Sequence, residues 1–275
     1  MNYAVLGDEQ VEQFLGQGHV KIDSCFEKGD IQDWIDLAFR RLGYQPDDAT
    51  TWTETKVHLP SINHIDVADF APKAWGAICD LMGGVDRIKN PVHWRDGFIM
   101  NFNLGADQPW HPPSPTVGGW HKDGDWFRHY LDSPEQGLLT VVLWDDIRPR
   151  SGGTFLATDS IAPIARYLAE HPQGLAPAEA QFGKLIDQCQ DFLEVTGEAG
   201  DVFLLHPYML HAASQNPSGF VRIITNPAVS FKEPMNFNRP NPDDYCLVER
   251  GVLRALSVDR LDFKITQERE LITPE

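Results

Sequence analysis

The stretch Gly119-Trp-His-Lys-Asp-Gly124 lies near the middle of the chain and decides its reading. On an extended strand, residues two apart project from the same face, so His121 and Asp123 point together. An imidazole and a carboxylate on one face supply two of the three ligands of a facial metal site. The third donor suited to an open iron site is a second histidine. The same tripeptide also arises by chance in a chain with 10 His and 40 acidic residues, so the rest of the sequence has to decide.

Strand-like sequence surrounds the stretch on both sides. Residues 97–103 read as a strand, and Pro109, Pro112, Pro113 and Pro115 stiffen the loop that leads into His121. Residues 138–144 form a continuous apolar, β-branched run, the pattern of a buried strand. A short strand is expected at 154–157. Paired strands are expected at 192–196 and 201–205 around the Gly197–Gly200 turn, and a hairpin at 209–214 and 221–225 around Asn216-Pro-Ser-Gly219.

Helical spacing collects at the ends. Asp8 caps a first helix with Val11, Phe14 and Leu15 as its stripe, followed by a strand at 19–22. Asp30 opens a helix over 31–42 with Trp34, Leu37, Ala38 and Leu42 on its apolar side. Further helices are expected at 71–81, 161–171 and 179–189, and one C-terminal helix within 241–266. Strands cluster between residues 94 and 231, so residues 1–275 read as one domain, a mainly β core with flanking helices.

The formal charge of −17 repels phosphate backbones and anionic membranes, so neither nucleic acid nor a membrane surface is an expected partner. The four cysteines Cys25, Cys79, Cys189 and Cys246 lie far apart and contain no Cys-x-x-Cys pair. No signal-like or membrane-length apolar segment is present, and a cytoplasmic location is the simplest expectation.

Three histidines compete for the third ligand position. His171 precedes Pro172 at an expected helix end, where a cap or surface role suits it better. His206 and His211 are five apart, so one regular strand would point them to opposite faces. If residues 216–219 form a four-residue hairpin loop, Ala213 opposes Arg222, and His211 then shares a face with Arg222. A core histidine and a surface arginine remain the alternatives. Together with His121 and Asp123, however, the pair describes a metal with three open positions and a guanidinium within reach of a bound dicarboxylate.

His121-Lys-Asp123, then His211, then Arg222 eleven residues later, resembles the phytanoyl-CoA dioxygenase-like branch of the Fe(II)/2-oxoglutarate oxygenases. The opening helix and strand over 11–22 and the approach Gly200-Asp-Val-Phe-Leu-Leu-His206 are similar as well. The resemblance implies a double-stranded β-helix (jelly-roll, cupin-like) core, with His121, Asp123 and His211 on Fe(II) and Arg222 on the distal carboxylate of 2-oxoglutarate. It departs at Thr154-Phe-Leu-Ala-Thr-Asp-Ser160, where the family often carries a Pro-Gly-Ser-His-like segment, and at Ala213, where the family has serine. Trp144 reads either as a wall of the cosubstrate pocket or as core.

The implied reaction couples decarboxylation of 2-oxoglutarate, with O2, to hydroxylation of a small-molecule C–H bond in secondary or amino-acid metabolism. Asp123 occupies the position a halide would need, which disfavours halogenation. Trp110, Trp126, Phe127 and Arg128 flank the ligand pair and are the candidate substrate contacts. The competing readings are a cupin-type metal enzyme that uses no oxo acid, and a non-catalytic β-sandwich that senses a ligand. Neither the substrate nor the oligomeric state follows from the sequence.

Overall fold

In a computed structural model of the protein, residues 3–273 are described. The elements follow in chain order: α1 (Asp8–Gln17), β1 (His19–Ile22), α2 (Gln32–Leu42), β2 (Lys56–His58), β3 (His64–Asp66), α3 (Val67–Phe70), α4 (Pro72–Met82), β4 (His93–Arg95), β5 (Ile99–Asn101), β6 (Leu138–Leu143), β7 (Phe155–Ala157), α5 (Ile161–Ala169), β8 (Phe192–Glu194), β9 (Val202–Leu205), β10 (Leu210–Ala212), β11 (Arg222–Thr225), β12 (Ala228–Val229) and α6 (Leu247–Leu256).

All six residues of β6 are buried, which requires packing on both faces of its sheet. That sheet has the order β1-β9-β6-β11-β5-β2, with β12 also paired to β6, and its pairs are antiparallel. A second sheet, β10-β7-β8, receives His121 on its edge through a bridge to His211. From β6 onward the chain crosses repeatedly between the two sheets, with β6, β9, β11 and β12 in the large one and β7, β8 and β10 in the small one, the path of a jelly roll. Leu139, Val141, Leu143, Phe203, Leu205 and Ile224 of the large sheet meet Leu156 of the small one in an inner cluster. Residues one step out of phase, among them Val142, Leu204 and Ile223, face outward into a larger cluster with α1, α2, α4 and α6.

The two expected hairpins do not form. β8 pairs with β7 whereas β9 pairs with β6 and β1, so the Gly197–Gly200 turn carries the chain between sheets. Gly200 turns at φ 94°, and a Cβ there would lie 2.1 Å from the Phe26 carbonyl oxygen. Residues 213–221 likewise cross between sheets, because β10 pairs with β7 and β11 with β5 and β6. His211 and Arg222 still point into one interior. His211 is the register partner of Leu156, and Arg222 lies two residues from Ile224, both of the inner cluster.

At the helical ends the differences are local. α1 buries Val11, Phe14 and Leu15 as its spacing requires, but its N-cap is Gly7, whose N–H donates to the Gln10 side chain. A 3-10 turn over Lys28–Ile31 precedes α2, whose buried stripe is Ile35, Ala38 and Phe39, while Trp34 and Leu37 are half-buried. Residues 179–189 hold a 3-10 segment, Phe182–Gln188, in place of an α-helix. The strands β1 and β2, from outside residues 94–231, complete the large sheet. Among the described residues all four cysteines are free, and no helix is long and apolar enough to cross a membrane.

Candidate metal and cosubstrate site

His121 and His211 are joined by two backbone hydrogen bonds, each N–H donating to the other's carbonyl at 3.0 Å. Their imidazole centroids lie 4.3 Å apart. Beyond His121 the chain leaves regular β geometry, so Asp123 is not delivered by strand periodicity. It arrives all the same: Asp123 Oδ1 is 3.4 Å from His121 Nε2 and 3.3 Å from His211 Nε2.

Each imidazole is fixed through its other nitrogen. His121 Nδ1 sits 2.8 Å from the Gly119 carbonyl and His211 Nδ1 3.2 Å from that of Met209. A carbonyl only accepts, so both Nδ1 atoms carry a proton, and the two Nε2 atoms are the ring nitrogens directed at Asp123 and available to a metal. His211 is buried, and its Nε2 has no hydrogen-bond partner among the described residues. One donor atom from each of the three residues lies within 4.8 Å of the other two. Two ligands in adjacent positions at about 2.1 Å from one ion stand ~3 Å apart, so this donor set can hold a metal on one face. Burial opposes ionisation of Asp123, but the two imidazoles outweigh it and hold the carboxyl well below the usual carboxylate range.

His121 and Asp123 open onto a cavity of 510 Å³ that is also lined by His58, Trp126, His129, Phe182 and Asn226, while His211 lies behind them. Lys122, between the two ligands, turns inward. Its Nζ donates to the Asp123 carbonyl and to Gln136 Oε1, each at 3.0 Å, and lies over the Phe127 and Phe182 rings. Burial pushes its pKa down to about 7. His129 is pushed down to about 2, by burial first and then by the Lys122 charge.

Arg222 is buried on the inner face of β11. Its Nε donates to the Gly152 carbonyl at 2.8 Å and its Nη1 to that of Ile99 at 3.1 Å. Two of its five N–H groups are thereby used. Among the described residues no carboxylate pairs with it, and burial alone lowers its pKa to about 10.

These features coincide with a family signature. The sequence matches the phytanoyl-CoA dioxygenase (PhyH) family over residues 14–224. The chain belongs to that family. It is a 2-oxoglutarate-dependent oxygenase, and the enzymes of this family use Fe(II), 2-oxoglutarate and O2. No curated protein sequence matches the chain. Several solved structures are similar at low identity. The epimerase SnoN, in complex with Fe3+, alpha ketoglutarate and nogalamycin RO, is 16% identical, covering 82% of each chain at a TM-score of 0.46. HygX from Streptomyces hygroscopicus, with nickel, 2-oxoglutarate and hygromycin B bound, is 13% identical over 82% of this chain and 87% of that one at 0.44. EctD from S. alaskensis, with bound Fe, is 17% identical over 98% and 90% at 0.45.

Of the four residues expected to contact substrate, Trp126 lines the cavity. Phe127 is fully buried beneath Lys122. Arg128 is committed to Glu179, Glu270 and the Gly174 carbonyl. Trp110 packs edge-on against Phe155 at 6.2 Å under the Arg150 guanidinium. Trp144 is core: its Nε1 donates to Thr225 Oγ1, and its ring packs against Phe26, Trp94 and Phe98. His171 holds the Tyr167 carbonyl near the end of α5. Sequence reasoning passed over Lys122, His58 and Asn226. Asn226 was within reach, because it lies four residues after Arg222 and so shares its face on an extended chain.

Proposed function

We propose that His121, Asp123 and His211 hold Fe(II), that Arg222 binds the distal carboxylate of 2-oxoglutarate, and that the enzyme oxidises a C–H bond of a small molecule, with hydroxylation as the default outcome. The observation that carries this reading is the unpartnered Nε2 of buried His211, aimed at a carboxylate and a second imidazole. A buried imidazole nitrogen without a partner is costly in a folded protein unless a ligand completes it. Bound Fe(II) supplies O2 activation coupled to decarboxylation of the oxo acid to succinate and CO2.

The protein's part is placement. Gly119 and Met209 orient the two imidazoles, and the outward-facing side of His121 leaves the metal open to the cavity. Arg222 offers three N–H donors beyond those given to Gly152 and Ile99, and among the described residues no carboxylate pairs with it, which suits a bidentate carboxylate contact. That guanidinium favours an oxo-acid-dependent enzyme over a metal enzyme that uses none. Asp123 as a ligand favours hydroxyl transfer over halide transfer. A 510 Å³ cavity falls within the usual range for small-molecule sites, and its Trp126 and Phe182 walls suit an apolar or ring-bearing substrate of secondary or amino-acid metabolism. We read residues 1–275 as one catalytic domain, with Trp126 as the substrate contact retained among the four first considered.

Anaerobic addition of Fe(II) and 2-oxoglutarate should give a weak visible charge-transfer band, and admission of air should give succinate. Asp123→Ala should lose both. Full succinate formation by that variant would overturn the assignment.

A further inference from the structure

Asp123 offers two oxygens, and the two have different surroundings. Oδ1 faces both imidazoles, whereas Oδ2 accepts a hydrogen bond from Asn226 Nδ2 at 2.8 Å. An ionised carboxylate accepts only, so the amide NH2 of Asn226 must be the end that faces it. We propose that Asn226 is a positioning residue that ties down Oδ2, makes Asp123 a one-oxygen ligand and so keeps three coordination positions open. The inference rests on the metal reading of His121, Asp123 and His211.

Asn226 is held in place on both sides. The preceding residue, Thr225, accepts a hydrogen bond at its Oγ1 from Trp144 Nε1, 2.9 Å away in the dry core. The Pro227 carbonyl, just beyond, accepts from both the N–H and the Oγ1 of Thr140 on β6, at 3.0 and 2.8 Å. The amide is thus carried by backbone pinned to the central strand of the large sheet, while Asp123 sits on an irregular segment after His121. The same chain path carries Arg222 four residues earlier, ~13 Å away at about 3.3 Å per extended residue. One strand therefore sets the cosubstrate anchor and the carboxylate ligand in fixed relation. Asn226 lies two residues beyond the end of the family match, so the match itself says nothing of it.

Without the amide, Oδ2 is free to turn toward the metal. Chelation through both oxygens would then fill one of the positions that the oxo acid and O2 need. Outer partners of metal ligands typically contribute about 10–100-fold in metal affinity or activity.

The test uses the full chain loaded with Co(II), whose absorption intensity reports coordination number, together with Asn226→Ala and the near-isosteric Asn226→Leu. Both variants should weaken Co(II) binding about 10–100-fold and alter the Co(II) visible spectrum, while the melting temperature of the metal-free protein stays close to wild type. Wild-type protein that fails to bind Co(II) would overturn the metal reading itself. Wild-type binding with unchanged affinity and spectrum in both variants would overturn only the role of Asn226. A drop in melting temperature with an unchanged spectrum would assign Asn226 to structure and also defeat the proposal.

Discussion

Two regions of the molecule place similar groups in the interior and treat them in opposite ways. Against α6, His206 is buried with both ring nitrogens engaged: Nε2 reaches the Val248 carbonyl at 3.2 Å, and Nδ1 accepts the Tyr208 N–H at 3.2 Å. Nearby, Glu249 is fully buried and receives Arg87, Arg239 and the backbone N–H groups of Asn236 and Cys246. Five residues after His206, His211 is buried with Nε2 unpartnered among the described residues, and Arg222 is buried with no carboxylate among them. The first region satisfies its polar groups from within the chain. The second leaves a donor set and a guanidinium whose complements are an ion and a carboxylate. Buried groups the protein does not complete mark where it binds something else.

The sharpest way to break this contrast is to exchange the two histidines' fates. His211→Ala should abolish Fe(II) binding and 2-oxoglutarate turnover while leaving a folded protein. His206→Gln should retain Fe(II) binding and turnover, since Gln can still donate to the Val248 carbonyl, and should show its cost in thermal stability. Turnover lost through His206→Gln at a temperature where the variant is folded would erase the distinction.

Glu249 provides the next largest effect. Burial works against its charge, but the two guanidinium groups hold its pKa below the ordinary carboxylate value. Removing one partner of a buried ion pair costs about 3–5 kcal/mol, because the remaining charges stay uncompensated. Glu249→Ala should therefore lower stability by an amount of that order in denaturant titrations. The 2-oxoglutarate KM of the remaining folded protein should not change.

How far the sequence could reach follows the same division. The ligands and Arg222 were legible because their chemistry is carried by residue type and by spacing along the chain. Sheet partnership was not. Gly197, Gly200 and Asn216-Pro-Ser-Gly219 announce that the chain turns, but not whether the next strand pairs with the last or crosses to the facing sheet. That choice is made by distant partners, such as β6 for β9 and β5 for β11. His211 and Arg222 were thus placed together through a hairpin that does not exist, and they meet because both sheets point into one interior. The α2 stripe was misphased: the helix follows a 3-10 turn and buries Ile35, Ala38 and Phe39. Phe127 and Arg128 were drawn away from the cavity by the C-terminal segment: Arg128 N–H donates to the Glu270 carbonyl, and Leu271 bridges to Phe127. No local pattern announces a contact across more than 140 residues.

Arg222→Ala should sharpen the comparison between the arginines. Losing a buried, charge-assisted carboxylate contact costs about 2–5 kcal/mol, so the 2-oxoglutarate KM should rise on the order of 100-fold or more, with Fe(II) affinity little changed. Arg239→Ala should instead lower stability and leave that KM alone. An unchanged KM in Arg222→Ala would remove Arg222 from the cosubstrate site.

The smallest expected effect is the pH dependence that His206 contributes from the saturated region. Burial pushes the His206 pKa down to about 3, the backbone contact to Val248 only partly opposing it, whereas an unfolded histidine titrates near 6.5. Between about 3 and 6.5 the unfolded chain binds a proton at this position that the folded chain does not. Stability therefore rises with pH through that window, is lost on acidification, and is insensitive to His206 above it. A single group contributes at most about 1.4 kcal/mol per pH unit. His129, pushed down to about 2, adds to the same slope, so the contribution of His206 has to be read as a difference. In metal-free protein, His206→Gln should flatten the dependence of stability on pH between about 4 and 6 by up to that amount. The acid sensitivity of Fe(II) binding should persist in the variant, because it arises from protons competing for His121, Asp123 and His211. An undiminished stability slope in His206→Gln would mean that the imidazole against α6 is not the neutral, fully satisfied group its two partners describe.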